Sequence, residues 1–363
     1  MKGIRYILIL LTLCVAIGSC EREDGQGNLV QESARLIQFS AESEWQGITK
    51  AAIGSLNDLK NDGFVVWANW TKDPNDKSNY AGENERAAFG LSGTRVNASD
   101  DGDNTFQPNQ DADDKWVCEE EQEWSRGYYN FAAVLPASAF GTNAQINQGS
   151  LTSSFKKTKA EDGSTSTEYS SLITLDLNES GFDLSRNQID LMYAFHNEDN
   201  SAETASVVNL DFLHAFSLIN LQLSYGNVKP SVNRVTLYGI HNTISGDLKY
   251  RKDVSINGET VNEVYSNNLA ELLSVGNCTT QQNPYKIYVF SQTDLDPTGS
   301  HIIDIAKNLL VFPETLSEQC ALRIEIDCVM YGRQRTIYAE VNSGSWKPGE
   351  TYTYKLDVAN VTP

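Results

Sequence analysis

The chain has 363 residues, of which 40% are hydrophobic and 21% charged, and this balance excludes a disordered or low-complexity protein. Its 28 basic residues face 48 acidic ones, which gives a formal net charge of -20. Nucleic acid is therefore not an expected partner, because a phosphate backbone requires a basic face. The same charge repels anionic lipids, so attachment to a membrane would need a covalent anchor.

The chain begins with the features of a signal peptide. Lys2 and Arg5 precede an apolar run over residues 6–17, and two small residues then lead to Cys20. About twelve apolar residues are too few for a stable bilayer span, which needs roughly twenty. The ending resembles the bacterial lipobox, in which the cysteine is lipidated and becomes the first mature residue, although a plain secretory signal is the alternative. We predict a signal peptide over residues 1–19 and a lipid on Cys20.

The segment that follows is polar and has no periodicity, so residues 20–35 are predicted to form a flexible tether. Its first residues, 21–24, are all charged and mostly acidic. Such a run resembles an export signal of surface lipoproteins, and it is also common in tethers that are merely solvated. We expect a lipoprotein on the outer face of the outer membrane.

Alternation of apolar and polar residues dominates the mature chain and predicts an all-β fold. It is clearest over residues 322–330 and 352–358. Further strands are expected near residues 36–41, 64–70, 128–135, 171–177, 189–195, 207–225, 234–240, 285–290, 302–312 and 337–341. The apolar parity changes inside 207–225, which predicts a break near Ser217. One short helix is expected over residues 267–275 and polar insertions at 99–114 and 142–167.

The pattern is interrupted near residues 241–246, and this interruption predicts two β-sandwich domains. The N-terminal domain would span residues 36–243 and the C-terminal domain residues 244–363. A boundary nearer residues 200–205 is the alternative.

Signatures of common enzymes are missing from the sequence. None of the four histidines belongs to an HExxH site, and there is no P-loop, GxSxG elbow or GxGxxG turn. His214 lies in an apolar stretch, where a core histidine is the simpler interpretation. Acidic pairs for glycoside hydrolysis are permitted by the composition but not indicated by any spacing. The sequence therefore predicts neither an enzyme nor a cofactor.

Two other ligand classes remain open. The acidic loop around Gly102, with Asp100, Asp101 and Asp103, has the oxygen ligands that calcium accepts, although a solvated acidic loop is the simpler interpretation. Tryptophans could stack on sugars, but Trp67 belongs to a predicted strand and is expected in the core. The six tryptophans are Trp45, Trp67, Trp70, Trp116, Trp124 and Trp346.

Four cysteines remain in the mature chain besides Cys20, and an exported protein permits disulfides between them. They are Cys118, Cys278, Cys320 and Cys328. Cys320 and Cys328 are not expected to pair, because eight residues of strand at about 3.3 Å each exceed the reach of a disulfide. Cys328 is expected in the core, and the pairing of the others stays open.

Several segments together resemble the fimbrillin family, the subunits of the lipoprotein-derived pili of Bacteroidales. The lipobox at Cys20 is followed by a strand with the sequence IQFSA from Ile37, and then by a TKA junction from Thr49. The remaining matching segments are residues 64–70, 128–136, 212–223, 309–313 and 346–354. The resemblance spans nearly the whole chain and implies two tandem transthyretin-like β-sandwiches.

The resemblance also implies a mode of assembly. In that family a trypsin-like or arginine-specific protease removes the first strand, and the groove then accepts a strand from a neighbouring subunit by β-augmentation. Carried onto this chain, the cut falls between Lys50 and Ala51, and the removed strand carries three core side chains. These are Ile37, Phe39 and Ala41. Arg35 precedes the strand, so a cut there would leave the groove closed.

The expected function is therefore a structural or adhesive subunit of a surface pilus, held to the outer membrane by its lipid. Its expected partners are other pilus subunits and a host or bacterial surface ligand. The chain ends at Pro363 without an obvious strand to donate, which favours a tip, accessory or anchor subunit over a stalk repeat. The alternative is a surface glycan-binding lipoprotein.

Overall fold

Strands form nearly all of the regular structure in the computed structural model, which describes residues 37–43, 62–72, 87–98, 116–118, 122–141, 144–203, 207–257, 260–291 and 300–358. The strands of the first half are β1 Gln38–Ser43, β2 Phe64–Thr71, β3 Ala87–Ala98, β4 Trp116–Cys118, β5 Tyr128–Leu135, β6 Ile146–Lys159, β7 Thr165–Leu177, β8 Phe182–Asp183, β9 Met192–Asp199, β10 Val207–His214 and β11 Ser217–Ser224. Those of the second half are β12 Ser231–Tyr238, β13 Thr243–Ile244, β14 Asp247–Asn257, β15 Thr260–Asn267, β16 Lys286–Val289, β17 Ile302–Val311, β18 Thr315–Leu316, β19 Leu322–Met330, β20 Arg333–Val341, β21 Gly344–Ser345 and β22 Thr351–Asp357. The helices are the 3-10 turn Ala137–Ala139 and α1, Leu269–Ser274. The predicted all-β fold is confirmed.

Seven strands close into a barrel in the order β1-β10-β9-β5-β2-β3-β4. Its interior is a separate apolar core, because every second residue of these strands points inward. The buried members of this barrel core are Ile37, Phe39, Phe64, Val66, Ala68, Val96, Tyr129, Phe131, Ala133, Leu135, Met192, Ala194, Val208, Leu210 and Phe212.

The remaining strands form small sheets around a second, larger core. Their orders are β17-β11-β22, β16-β12-β19-β20 and β15-β14-β7-β6, with the two-stranded pairs β13-β8 and β18-β21. Trp67 joins the two cores: it lies in barrel strand β2 but packs in the larger core, and its Nε1 donates to the Gly149 carbonyl of β6 at 3.1 Å. The described part of the chain holds no helix with the length and apolar character that a membrane span requires.

Three local predictions are confirmed. The break near Ser217 separates β10, a barrel strand, from β11, which belongs to the three-stranded sheet. The predicted helix is α1, and the Gly276 N–H bonds the Leu273 carbonyl just beyond its end. The alternation over residues 322–330 buries the five apolar side chains of one parity, which are Leu322, Ile324, Ile326, Cys328 and Met330.

The expected polar insertion at residues 142–167 is wrong. These residues include most of the long hairpin of β6 and β7, and β7 continues the sheet through its other edge, on β14. The sequence of β6 does not alternate between apolar and polar residues, because serine and threonine occupy both faces of much of this strand. Near the turn end of the hairpin, Phe155 and Tyr169 are buried and pack together with Val254.

The division into domains at residues 243 and 244 stays a prediction, but strand pairing crosses it extensively. By their tertiary contacts, residues 36–363 form one compact unit. β7 in the predicted N-terminal domain pairs with β14, and β11 and β12 pair with β17, β22, β16 and β19 in the predicted C-terminal domain.

Candidate functional site

The first strand, β1, fills a groove in the barrel with alternate side chains. Ile37, next to its start, is 3% exposed and Phe39 is fully buried. The Phe39 ring meets the Phe64 and Phe131 rings edge-on, with centroids 5.9 and 6.0 Å apart. Such edge-to-face pairs add stability beyond the burial of apolar area. Ile37 and Phe39 therefore lie in the core, as predicted.

The main chain of β1 is paired along its length. It runs parallel to β10 in an unbroken register from Gln38 opposite Val207 to Ser43 opposite Phe212, and Ala41 lies opposite Leu210. Side chains add to this pairing, since the Ser40 Oγ donates to Asn209 Oδ1 at 2.6 Å. Strand β1 is thus held by β10 through backbone and side chain together.

The groove that holds β1 has two walls. On one wall six residues of β1 pair with β10, and on the other Phe39 lies opposite Trp116 of β4. A further backbone bond, 2.6 Å long, runs from the Ile37 N–H to the Gln122 carbonyl. We call this the β1 groove, bounded by β10 on one side and by β4 on the other.

Strand β1 has no hairpin partner in the barrel. Its neighbours β10 and β4 are distant in sequence, and the next strand along the chain, β2, lies between β5 and β3. Barrel neighbours such as β9 and β10, which end at Asp199 and begin at Val207, follow each other directly in the chain, whereas β1 precedes neither of its neighbours directly. Removal of β1 therefore breaks no hairpin among the described barrel strands.

The other predicted site residues lie outside the described residues. They are Cys20, Lys50 and Ala51, together with the acidic loop proposed for calcium. Strand β1 ends at Ser43, before Lys50 in the sequence. A cut after Lys50 would therefore leave the whole of β1 on the released fragment.

A second cluster of functional side chains was not predicted from the sequence. Cys278 and Cys320 form a disulfide with their Cα atoms 5.8 Å apart, whereas Cys328 is a buried free thiol, as expected of a core residue. Beside the disulfide, His241 Nδ1 lies 2.7 Å from Glu314 Oε2. We call His241, Cys278, Glu314 and Cys320 the His–Cys cluster. Its members are separated by as many as 79 residues, so no local motif reveals them.

His214 lies at the end of β10 and behaves as a core histidine. The His214 Nδ1 lies 3.0 Å from Asp190 Oδ2, and Asp190 is 1% exposed. The other ring nitrogen, His214 Nε2, is buried and has no hydrogen-bond partner among the described atoms. A buried, hydrogen-bonded histidine of this kind is typical of a core position.

Four tryptophan side chains that the structure describes pack against the protein interior. Trp67 and Trp346 are 3% and 2% exposed, and the half-buried Trp70 and Trp124 pack against the barrel core. A cavity of about 550 Å³ lies at the sheet of β6, β7, β14 and β15, but its charged side chains include ion pairs already made within the chain. These pairs are Lys156–Glu168 and Arg251–Asp253.

Comparison with solved structures finds proteins of Bacteroides at low sequence identity. It is similar to the solved structure of a candidate cell adhesion protein from Bacteroides ovatus, with 13% identity, coverage of 90% of this chain and 94% of that one, and a TM-score of 0.38. A candidate cell adhesion protein from Bacteroides fragilis has 10% identity, coverage of 91% and 94%, and a TM-score of 0.39. No curated protein sequence matches the chain.

The family comparison covers far more of the sequence than any single motif. A model described as fimbrillin-like matches residues 49–363, which include every described strand except β1. The family is structural rather than catalytic, and it supports a pilus or adhesion subunit at the cell surface. Because the match extends over most of its length, the chain belongs to the fimbrillin-like family.

Proposed function

We propose that this chain is a pilus subunit whose β1 is removed by a protease that cuts after Lys50, and whose β1 groove then accepts a strand from a neighbouring subunit. The observation that carries the proposal is that β1 closes the barrel without a hairpin partner while inserting a fully buried Phe39. A strand placed in this way can be exchanged for another of the same alternation. The exchange would use both elements of β-augmentation, which are main-chain pairing and pockets for alternate side chains.

The energy of such a junction is substantial. Burial of the Ile37 and Phe39 side chains is worth about 1.5 to 3 kcal/mol each, so the two contribute about 3 to 6 kcal/mol before main-chain pairing is counted. Ordering a free strand opposes this gain, because each immobilised residue loses conformational entropy. Exchange therefore needs a donor that fills the same pockets, and this requirement gives the junction its specificity.

An empty groove would be an unstable state for an exported protein. Removal of β1 leaves the edge of β10 unpaired and uncovers the side chains that surround Phe39, including Phe64 and Phe131. An exposed strand edge beside an apolar surface readily pairs with another chain. Proteolysis would thus convert a subunit with a filled groove into one that assembles.

The proposal includes an anchor. A lipid on Cys20 would hold the precursor to the outer membrane through the residues before β1. The fragment released by a cut after Lys50 would then contain both the lipid and β1, so a single cleavage would free the subunit and open its groove. A chain that escapes cleavage would stay membrane-bound with its groove filled.

The test combines limited trypsin digestion with a strand-replacement assay. N-terminal sequencing is expected to find a product that begins at Ala51, and Lys50→Gln should prevent its formation. A fluorescent peptide of residues 36–43 should then bind the cleaved protein and not the intact one, as measured by polarisation. The matched control is the same peptide with Phe39→Asp, which keeps the main chain but places a charge in the buried pocket.

Two results would overturn the proposal. One is resistance at Lys50 under conditions in which trypsin cuts other exposed loops. The other is a cleaved protein that stays monomeric, remains as stable as the intact chain and does not distinguish the two peptides.

A further inference from the structure

We propose that the His–Cys cluster binds one Zn²⁺ ion when its disulfide is reduced. The ligand atoms of His241, Cys278 and Cys320 lie within 4.8 Å of one another. Glu314 completes the set, because its Oε2 lies 3.4 Å from Cys320 Sγ. Two thiolates, an imidazole and a carboxylate are all ligands that Zn²⁺ takes in tetrahedral sites.

Sheet register brings two of these ligands together. Strands β12 and β19 are antiparallel, and Tyr238 pairs with Arg323 at their shared end. Extending this register by three residues places His241 opposite Cys320. The structure accordingly has His241 Nδ1 3.4 Å from Cys320 Sγ.

Main-chain hydrogen bonds hold the third ligand in place. Thr279, next to Cys278, donates its N–H to the Ile240 carbonyl at 2.9 Å. The Gly239 N–H donates to the Thr279 carbonyl at 3.1 Å, and the Thr279 hydroxyl donates to the Ile240 carbonyl at 3.0 Å. These bonds join the loop that carries Cys278 to the chain just before His241, so the sulfur atoms stay close after the disulfide opens.

Contacts within the chain also hold the Glu314 carboxylate in place. The Glu314 carbonyl accepts the Trp346 N–H at 2.9 Å, which positions the backbone of the residue. The Glu314 side chain is 5% exposed and faces the His241 ring at 2.7 Å. A carboxylate buried to this extent needs a hydrogen-bond partner or a cation. The His241 ring is that partner in the oxidised protein, and Zn²⁺ would be a second partner in the reduced protein.

The two forms of the cluster exclude each other. Reduction transfers two electrons and two protons from a dithiol to the disulfide, giving two cysteine thiols while the dithiol becomes a disulfide. Zn²⁺ then displaces the two thiol protons and binds both sulfurs at about 2.3 Å, which sets them about 3.7 Å apart at a tetrahedral angle. Rotation of the two cysteine side chains supplies this separation.

The test measures metal binding by the purified full chain in both redox states. A phosphine reduces the disulfide, becoming a phosphine oxide with oxygen from water, and leaves no thiol to compete for metal. Co²⁺ serves as the probe, because tetrahedral thiolate coordination gives it strong visible and near-ultraviolet absorption. We expect one Co²⁺ per reduced chain, displacement by one Zn²⁺, and no such spectrum from the oxidised chain.

Variants separate this site from other cysteines. Cys278→Ser and Glu314→Gln should each weaken Co²⁺ binding by tenfold or more and change its spectrum. Cys328→Ser and Cys118→Ser are the matched controls and should leave both unchanged. The proposal is overturned if reduced protein binds no metal, or if a control variant loses binding. Loss of the native circular dichroism on reduction alone would overturn it too, because the site depends on ligands held by the main chain.

Discussion

Replacement of Phe39 by alanine should weaken the hold of β1 on the barrel by about 3 to 5 kcal/mol. The side chain is fully buried and contacts two further phenyl rings, so its removal loses the transfer free energy of the ring and leaves a cavity. Large-to-small changes of this type cost about 3 to 5 kcal/mol when the surroundings cannot collapse. The barrel core is not expected to collapse, because β2 and β5, which carry Phe64 and Phe131, are paired on both edges.

The loss can be measured in two ways. In the intact chain, the midpoint of urea unfolding should fall. In the cleaved protein, the affinity of a peptide of residues 36–43 should fall by a factor of roughly 200 to 5,000, which is the same free energy expressed as a dissociation constant. The two numbers should agree, since both report the same side chain in the same pocket.

Two controls isolate the role of the strand. Phe131→Ala removes an equally buried ring from the same core, but from a central strand, so it should destabilise the intact and the cleaved protein alike. Ser40→Ala removes one side-chain hydrogen bond of β1 and should cost about 0.5 to 1.5 kcal/mol. A Phe39→Ala effect within 1 kcal/mol of zero, alongside a full Phe131→Ala effect, would refute the assignment of Phe39 as the anchor of β1.

Three further predictions test the fold and the anchor. Gly149→Ala should destabilise the chain by about 1 to 3 kcal/mol in urea unfolding, because the new Cβ would lie 2.6 Å from Trp67 Cζ2, where the barrel packs on β6. Burial raises the pKa of Tyr129 to about 12, so the free energy of unfolding should fall between pH 10 and pH 12 as the unfolded phenol ionises first, and Tyr129→Phe should flatten that fall. Cys20→Ala should release the protein from the membrane fraction, and continued labelling of this variant by a radioactive fatty acid would contradict the anchor.

Alternation predicts strands only where one face of the sheet is buried. Strand β10 alternates between buried and exposed residues, and β19 buries every second residue, so both were predicted from their sequences. All eight residues of β15 are exposed, including Val261 and Val264, so its sequence lacks a face-specific pattern. Such a strand is specified by its hairpin with β14 and not by its own composition.

The two candidate sites differ in how far the sequence reveals them. Phe39 belongs to a short alternating run, so its burial was predicted. The His–Cys cluster was not, because its four residues lie in different connections between strands and meet only in the folded chain. No spacing rule in the sequence joins them, although the register of β12 with β19 is enough to bring His241 and Cys320 together.

The pairing of β1 with β10 bears on how a strand could be exchanged. This pairing extends over six residues of β1 in an unbroken register. An incoming strand that pairs first with the free edge of β10 would gain this row of main-chain hydrogen bonds before the barrel closes. The side chains would follow, since the Phe39 pocket is lined from β2 and β5, on the far side of the barrel core. Affinity should therefore depend on the match to β10, and the lifetime of the junction on the residue that fills the Phe39 pocket.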